Sequence, residues 1–344
     1  MSRTTSNVNP GYKRPKNTIK KTEEYVDGIL SGDKTLLSQA ITVIESAKPE
    51  YRKLGQKILD NCLPHSGNSI RIGITGVPGV GKSTFIEALG NLVLENGNRL
   101  AVLTIDPSSS RSKGSILGDK TRMQTLSNAE NAYIRPSPTS GTLGGVTQKT
   151  RETLLLCEAA GFNTIFIETV GVGQSETAAH SMVDFFLLLM LAGAGDELQG
   201  IKRGIIEMAD LIAINKADET NIEAANKARS EFKNALSLFP LPESGWDPPV
   251  VTCSALTGMG IEEIWGKINA YMELTKKNGY FDRHRADQAV WWMYQTIHRQ
   301  LKEVFYEKPG IKKRLSSFEN DVKEGKISSF KAANKLLDLF NLKK

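Results

Sequence analysis

Short apolar runs alternate with helical patterns through the middle of the chain. β-branched and other apolar residues form seven candidate strands, which are Ile70–Thr75, Leu100–Ile105, Ala132–Arg135, Thr164–Thr169, Phe185–Leu191, Leu211–Asn215 and Val250–Cys253. Between them, apolar residues recur at helical spacing in Ser83–Asn96, Thr147–Ala160, Gly200–Ala209 and Ile222–Leu238. Strands that alternate with helices predict βαβ units and therefore an α/β fold, a mostly parallel sheet with helices on both faces.

Both ends of the chain carry helical patterns without strands. Residues 23–66 predict an N-terminal helical extension, and residues 273–344 predict a C-terminal helical region, on either side of a central domain of residues 67–272. In the C-terminal region, one apolar stripe is formed by Ala286, Val290, Trp291, Tyr294, Ile297, Leu301 and Phe305. This spacing predicts a helix with one face that packs on apolar surface.

The net charge of +6 over 344 residues arises at one end of the chain. Residues 1–22 carry six basic residues and no acidic one, while basic and acidic residues balance in the rest. We expect this tail to be disordered and solvated, and we do not expect a nucleic-acid partner. The longest apolar run, Phe185–Ala192, is far shorter than the ~20 residues that cross a bilayer, so no membrane partner is expected.

The cysteine pattern favours a reducing compartment. Cys62, Cys157 and Cys253 are odd in number and widely spaced among apolar residues, which is typical of core residues and not of disulfides or metal ligands. The N-terminus lacks the apolar segment of a secretion signal. We expect a cytoplasmic protein, with the mitochondrial matrix as the alternative because the tail contains no acidic residue.

The segment after the first candidate strand, Gly76–Ser83, fits the phosphate-loop pattern G-x-x-x-x-G-K-[ST]. Its glycines let backbone amides turn towards phosphate oxygens, and the following helix directs its positive end at the same anion. Lys82 is expected to neutralise the β- and γ-phosphates, and the Ser83 hydroxyl is expected to bind Mg²⁺. The expected nucleotide contacts are Gly76, Gly79, Val80, Gly81, Lys82, Ser83 and Thr84. The central domain is therefore interpreted as a P-loop nucleotide triphosphatase.

The sixth candidate strand ends in a base-reading motif of the form N-K-x-D, at Asn215, Lys216 and Asp218. The Asp218 carboxylate can accept hydrogen bonds from N1 and the exocyclic amine of guanine, a pair of donors that adenine does not present. Standing alone, the motif has a less favoured alternative, a helix-capping aspartate after a core strand, and the phosphate loop upstream favours GTP. A supporting loop beside the base is expected from Ser254, Ala255 and Leu256.

A third motif follows the fourth candidate strand. Glu168 and Gly171 match the D-x-x-G of many GTPases with Glu in place of Asp, so the carboxylate is expected to reach Mg²⁺ and the Gly171 amide to sense the γ-phosphate. Val172 stands where Ras-like enzymes carry a water-orienting Gln, which predicts slow unaided hydrolysis. Asp106 and Asp119 are further candidate acids for the metal, although Asp106 could also be a simple turn residue before a proline.

Longer strings resemble one family. Residues 106–111, 114–123, 168–176 and 192–202 are similar to segments of the MeaB/ArgK family, and the resemblance spans roughly residues 25–344. It implies a SIMIBI-type G domain, related to signal-recognition-particle and nickel-insertion GTPases. It also implies a GTPase chaperone of adenosylcobalamin-dependent methylmalonyl-CoA mutase, in which GTP binding and hydrolysis gate cofactor delivery and protect or reactivate the mutase. Members are homodimers formed through C-terminal helices.

The resemblance also implies residue roles. The catalytic set is Lys82, Asp106, Asp119 and Glu168, and the Mg²⁺ ligands are Ser83, Asp106, Asp119 and Glu168. The loop Gly193–Arg203 resembles an additional switch that signals to the mutase. Ala192 departs from the family pattern, which has a proline before Gly-Ala-Gly, so the loop entry is expected to be less rigid.

Other functions compete with this interpretation. A metal-insertion accessory GTPase would need clustered Cys and His ligands, whereas this chain has four scattered histidines and no C-x-x-C. A protein kinase of basic amino-acid transport would need an adenine site, against which N-K-x-D argues. A non-hydrolysing scaffold switched by GTP remains open, because the residue after Gly171 is not Gln.

Overall fold

The structure is a computed structural model that describes residues 19–46, 48–105, 123–136, 143–169, 174–193 and 203–341. The chain forms two compact units, divided between Lys277 and Asn278. The boundary that the sequence predicts after residue 272 falls inside a helix that ends at Lys277. Within the described residues, no helix is both long and apolar enough to cross a membrane.

The first unit is built on a seven-stranded parallel sheet. Its strands are β1 (Ile70–Gly76), β2 (Leu100–Ile105), β3 (Ala132–Arg135), β4 (Thr164–Thr169), β5 (Phe185–Leu191), β6 (Leu211–Asn215) and β7 (Val250–Thr252). The strand order is β3-β2-β4-β1-β5-β6-β7, and every neighbouring pair is parallel. The predicted α/β class is confirmed, and all seven candidate strands are present with ends that differ by one residue at most.

Ten helices of the described part of this unit flank the sheet. They are α1 (Thr22–Leu30), α2 (Lys34–Glu45), α3 (Pro49–Cys62), α4 (Lys82–Glu95), α5 (Gln124–Asn128), α6 (Leu143–Ala159), α7 (Gln174–His180), α8 (Arg203–Glu207), α9 (Ile222–Leu236) and α10 (Ile261–Lys277). Two 3₁₀ turns, Leu63–His65 and Glu219–Asn221, add to them. The helix predicted from Gly200 is described only from Arg203, because residues 194–202 lie outside the described residues.

The carboxyl ends of the parallel strands lie together at one end of the sheet. All six residues of β2 and the first six of β5 are buried, as expected for parallel strands covered on both faces. β1 lies between β4 and β5, and Ile74 pairs in register with Glu168. Farther along, Leu191 at the end of β5 pairs with Asn215 at the end of β6. In parallel sheets, ligands bind outside these carboxyl ends, where the chain leaves the strands.

The N-terminal helices cover the outer strand β3. The ammonium of Lys34 on α2 donates to the carbonyl oxygen of Ala132 at 2.9 Å, and the hydroxyls of Ser38 and Tyr133 lie 3.1 Å apart. At the end of the same helix, Glu45 forms an ion pair with Arg135. Three side-chain links along one helix thus protect an edge that could otherwise pair with another chain.

The second unit is helical, in agreement with the pattern of residues 273–344. Its helices are α11 (Tyr280–Glu307), α12 (Pro309–Lys323) and α13 (Ser329–Asn341). Lys308, between α11 and α12, donates from Nζ to the carbonyl oxygen of Leu339 at 3.1 Å and so closes the end of α13. Five apolar side chains of α11 that are at least 43% exposed follow at intervals of four and three residues: Val290, Tyr294, Ile297, Leu301 and Val304. We refer to these five residues as the α11 seam.

Candidate nucleotide-binding site

The phosphate loop connects the end of β1 to the start of α4. Its three glycines have positive φ angles: +155° at Gly76, +79° at Gly79 and +91° at Gly81. A Cβ atom at Gly76 would lie 2.4 Å from the carbonyl oxygen of Leu189 on β5, so only glycine fits this close approach. The 14-residue helix α4 then begins at Lys82, so its unpaired backbone amides and positive end lie at the loop.

Lys82 is held inside the loop by backbone oxygens. Its Nζ donates to the carbonyl oxygens of Gly76 at 2.8 Å and Val77 at 3.3 Å. Burial lowers the pKa of Lys82, and the negative charges of Glu168 and Glu176 oppose that change. The loop is therefore folded around an ammonium group whose carbonyl partners can be exchanged for the oxygens of an anion.

Two side chains of the predicted base-reading motif join it to the phosphate loop. Asn215, 1% exposed, donates from Nδ2 to the carbonyl oxygen of Val80 at 2.8 Å and accepts from the amide of Ala255 at 3.0 Å. Lys216 donates from Nζ to the carbonyl oxygen of Gly79 at 2.8 Å. Its φ of +59° is the one positive value at a non-glycine residue in the described chain. This costly backbone conformation turns the chain abruptly at the end of β6.

The predicted guanine-reading acid lies beside the predicted supporting loop. The hydroxyl of Ser254, which is fully buried, donates to Oδ2 of Asp218 at 2.5 Å and accepts from the amide of Thr257 at 3.2 Å. The Asp218 carboxylate is therefore oriented by the Ser254 hydroxyl, which is itself held by the backbone amide of Thr257. Leu256 extends from the same loop with 83% of its surface exposed, which leaves an apolar side chain available at the mouth of the site.

The predicted metal site is only partly within the described residues. Glu168, half-buried, lies on β4 beside β1, and Ser83 lies half-buried in the first turn of α4. The other predicted residues, Asp106, Asp119 and Gly171, lie outside the described residues. Among the residues that are described, no group of three or more His, Cys, Asp or Glu side chains is placed to hold a metal ion. Ser83 and Glu168 supply the hydroxyl and carboxylate oxygens that a Mg²⁺ ion prefers.

A buried polar chain behind the phosphate loop was not predicted from the sequence. The hydroxyl of Thr169 at the end of β4 donates to that of Thr75 at 2.7 Å. Thr75 in turn donates to Oε1 of Glu176 at 3.4 Å, and Ser175 donates to Oε2 at 3.1 Å. All four residues are at most 1% exposed. In the sequence, the signal for these hydrogen bonds is a threonine near the end of each of two candidate strands, and the two strands are neighbours in the sheet.

Comparison with protein families gives one match over most of the chain. The model described as "Methylmalonyl Co-A mutase-associated GTPase MeaB" matches residues 37–310. This range contains the whole parallel sheet, both predicted nucleotide motifs and all of α11.

Individual relatives agree with the family match. A probable GTPase of Mycobacterium tuberculosis is 49% identical over 324 residues, which are 93% of this chain and 96% of the relative. The mouse protein described as a methylmalonic aciduria type A homolog, mitochondrial, is 44% identical over 93% of this chain and 80% of its own length. The GTPase ArgK of Escherichia coli is 47% identical over 82% of this chain and 86% of its own length.

Among solved structures, one described as a LAO/AO transport system kinase superposes with a TM-score of 0.74. It is 35% identical and covers 94% of this chain and all of its own. The similarity supports the predicted P-loop fold over both the sheet and its helical extensions.

Proposed function

The chain belongs to the family of methylmalonyl-CoA mutase-associated GTPases, and on that premise we propose that it is a Mg²⁺-dependent GTP hydrolase that serves an adenosylcobalamin-dependent acyl-CoA mutase. The family description names methylmalonyl-CoA mutase as the associated enzyme, and we propose that enzyme as the client. In this proposal the protein is a chaperone: its nucleotide state gates delivery of the cofactor to the mutase and protects or reactivates the enzyme.

Guanine selectivity is assigned to the loop that follows β6. Asp218, oriented by Ser254, accepts from the two donors of guanine, and the stem of Lys216 lies along the base. Discrimination against adenine follows because a carboxylate left without donors in a closed site costs free energy. The observation that supports this assignment is the pair of hydrogen bonds from Asn215 and Lys216 to the phosphate loop, which holds base and phosphate subsites at a fixed separation.

Phosphate binding is assigned to the loop amides, to Lys82 and to the start of α4. The Lys82 ammonium leaves the carbonyl oxygens of Gly76 and Val77 and takes the β- and γ-phosphate oxygens instead. Ser83 and Glu168 fit a Mg²⁺ ion through their oxygen atoms, and Asp106 and Asp119 complete the proposed acidic set. Mg²⁺ held by these oxygens would supply positive charge that offsets the negative charge of the phosphates.

Slow turnover in the absence of the mutase is part of the proposal. Val172 offers no group that could orient the attacking water, so a partner or a distant side chain must complete the site. We assign signalling to the loop Gly193–Arg203, which begins at the end of β5, next to β1 and β6. The nucleotide would then act at the ends of β1 and β6, and the partner at the neighbouring end of β5.

We also propose that the protein is a homodimer through the α11 seam. Its residues recur at intervals of four and three, which is the spacing of a helix-pairing interface, and they are exposed in the single chain. For its compartment we propose the cytoplasm, with the mitochondrial matrix as the alternative, which the description of the mouse relative favours.

The experiment that tests the mutase proposal is GTP turnover by the purified protein, with and without methylmalonyl-CoA mutase from the same source. We expect the rate to rise by about ten-fold or more, on the scale that activating partners reach. An unrelated protein at the same concentration is the control for non-specific stabilisation. If the mutase neither changes the rate nor binds the GTP-loaded protein, the client assignment is wrong, although the GTPase assignment stands.

A further inference from the structure

Asn221 lies between the proposed base-reading motif and the helix that follows it. Its side-chain Nδ2 donates to the carbonyl oxygen of Lys216 at 2.6 Å, and its backbone amide donates to the carbonyl oxygen of Asp218 at 2.9 Å. Asn221 is not one of the residues of the N-K-x-D motif. It is nevertheless bonded to both of the motif residues that are assigned above to the base.

The side chain of Asn221 does not have the role that asparagine usually has at the start of a helix. Asn221 immediately precedes α9, a position where asparagine usually accepts a hydrogen bond from an amide of the first helical turn. Within α9, all of whose backbone is described, no amide donates to this side chain. The Nδ2 group instead turns back five residues to Lys216, so stabilisation of the helix start does not explain its placement.

The carbonyl group that Asn221 binds belongs to a residue with an unfavourable backbone. Lys216 has a φ of +59°, in the left-handed region that residues other than glycine rarely adopt. Such a conformation persists only where surrounding contacts hold it. The next amide, that of Ala217, donates to the carbonyl oxygen of Cys253 at 2.9 Å. The peptide group between Lys216 and Ala217 is therefore held on both sides, by Asn221 at its oxygen and by Cys253 at its amide.

This peptide group sets the direction of the chain that leads to Asp218. The carboxylate of Asp218 accepts from the hydroxyl of Ser254 at 2.5 Å, while its carbonyl oxygen accepts from the amide of Asn221. Ser254 thus orients the side chain, and Asn221 fixes the backbone from which that side chain extends. Because the carboxylate must meet two donors of guanine at once, a rotation of this backbone would lengthen or misalign at least one of the two hydrogen bonds.

We propose that Asn221 is a positioning residue for guanine recognition: through its hydrogen bonds to Lys216 and Asp218 it holds the base-reading loop in the backbone arrangement that presents the Asp218 carboxylate to both donors of the base. The inference rests on the guanine site proposed above. It assigns to Asn221 no contact with the nucleotide. Loss of the side chain therefore acts on selectivity for the base, whereas the phosphates are bound by the phosphate loop.

The test compares GDP with inosine diphosphate (IDP), whose base keeps the N1 donor of guanine but lacks the exocyclic amine. The ratio of the dissociation constants, IDP over GDP, reports the hydrogen bond from that amine to Asp218, because the phosphates are the same in both ligands. In the unchanged protein we expect a ratio of about ten or more, since hydrogen bonds to charged groups are strong. In Asn221→Ala, which removes the Nδ2 donor, we expect the ratio to fall at least about three-fold. Competition with a fluorescent guanine nucleotide measures both constants.

Two further variants separate this role from effects on folding. Asn221→Ser supplies a residue that begins helices well, but its hydroxyl is one bond shorter than the amide and does not reach the carbonyl oxygen of Lys216. It should therefore lose selectivity as N221A does. Asn226→Ala, at an exposed position on α9, should leave the ratio unchanged. A role limited to the start of α9 would weaken GDP and IDP binding equally in N221A and would be rescued in N221S.

The hydrogen bond from Asn221 to Lys216 lies at the surface, so both variants at position 221 are expected to fold. N221S preserves the test if N221A does not. A ratio in N221A or N221S equal to that of N226A overturns the proposal. If the unchanged protein binds GDP and IDP equally, the proposed guanine site is wrong, an outcome distinct from a GDP-selective protein whose selectivity does not depend on Asn221.

Discussion

The side chain of Asn215 donates a hydrogen bond of 2.8 Å to the carbonyl oxygen of Val80, a residue 135 positions earlier in the sequence. The bond joins the end of β6 to the phosphate loop. Because the same side chain accepts from the amide of Ala255 at 3.0 Å, one buried amide connects three segments that meet only in the folded chain. The proposed base and phosphate subsites therefore depend on each other's geometry.

Replacement of Asn215 by alanine should weaken both folding and nucleotide binding. The change leaves the Val80 carbonyl oxygen and the Ala255 amide without their partner, which costs about 1–3 kcal/mol for each buried group. We expect the free energy of unfolding to fall by a similar amount and GDP affinity to fall by at least about ten-fold. Denaturant unfolding and calorimetric titration measure the two effects. Asn226→Ala, an exposed change on α9, is the control, and equal behaviour of the two variants would refute the link.

Lys82→Ala should abolish hydrolysis and weaken GTP binding. Removal of the ammonium group leaves the carbonyl oxygens of Gly76 and Val77 without their donor and the phosphates without their neutralising charge. We expect kcat to fall by about 100-fold or more. Steady-state phosphate release measures this, with Lys57→Ala, an exposed change on α3, as the control. Turnover close to that of the control would remove the phosphate-loop assignment.

The sheet was predictable because its signals are local, and the proposed base-reading loop rests on a signal of the same kind. Buried parallel strands are continuous apolar runs, and β5 is an example whose sequence alone identifies it. The N-K-x-D motif carries its chemistry in four consecutive residues. Helix α5 was missed because its five residues are mostly polar, and Leu126 becomes fully buried only when the rest of the chain packs on it.

The buried polar chain behind the phosphate loop could not be predicted either, because its burial also depends on how the rest of the chain packs. Glutamate is almost never fully buried without a partner, so sequence reasoning assigns a glutamate such as Glu176 to the surface by default. The hydrogen bond between the two threonines follows from the parallel pairing of β1 with β4, which brings Thr75 and Thr169 together from positions 94 apart. Strand order is a property of the whole fold, and no local pattern contains it.

Asp218→Asn should change base selectivity from guanine towards xanthine. An amide in place of the carboxylate cannot accept both guanine donors, but its NH₂ group can donate to the second carbonyl oxygen of xanthine. We expect GTP binding to weaken by about 1–3 kcal/mol and XTP binding to improve, as measured by competition for a fluorescent nucleotide. Asp247→Asn, an exposed change in the same unit, provides the control. Unaltered preference for GTP in D218N would refute the base-reading role.

Leu301→Asp should dissociate the proposed homodimer. Leu301 is 57% exposed in the single chain and lies inside the α11 seam, so an aspartate there would bury a charge between two copies. Light scattering coupled to gel filtration should report twice the chain mass for the unchanged protein and the single mass for the variant. The neighbouring change Lys302→Asp, which lies off the seam and alters the charge even more, should leave the mass doubled. A dimer that survives L301D would place the interface elsewhere.

Asp210, at the start of β6 in the first unit, has a carboxyl whose proton affinity depends strongly on folding. Loss of water around the group raises its pKa from 3.8 to about 7, and the negative charge of Asp184 contributes in the same direction. The amide of Phe186, which donates to Oδ2 at 2.8 Å, and the Tyr271 hydroxyl act against this rise but do not cancel it. The folded protein therefore keeps a proton on Asp210 at pH values where the unfolded chain has released it.

This difference predicts the sign of a pH dependence. Between pH 3.8 and about 7 the native state binds one more proton at Asp210 than the unfolded state, so this group makes the free energy of unfolding fall as pH rises through that window. Asp210→Asn keeps an oxygen that can accept from Phe186 but cannot titrate, so its stability relative to the unchanged protein should increase from pH 4.5 to pH 7.5. Denaturant unfolding at several pH values measures this. Asp60→Asn, exposed on α3, is the matched control. The result to compare is the difference in free energy of unfolding between each variant and the unchanged protein. If this difference varies with pH as little for D210N as for D60N, Asp210 is ionised in the native state throughout that range.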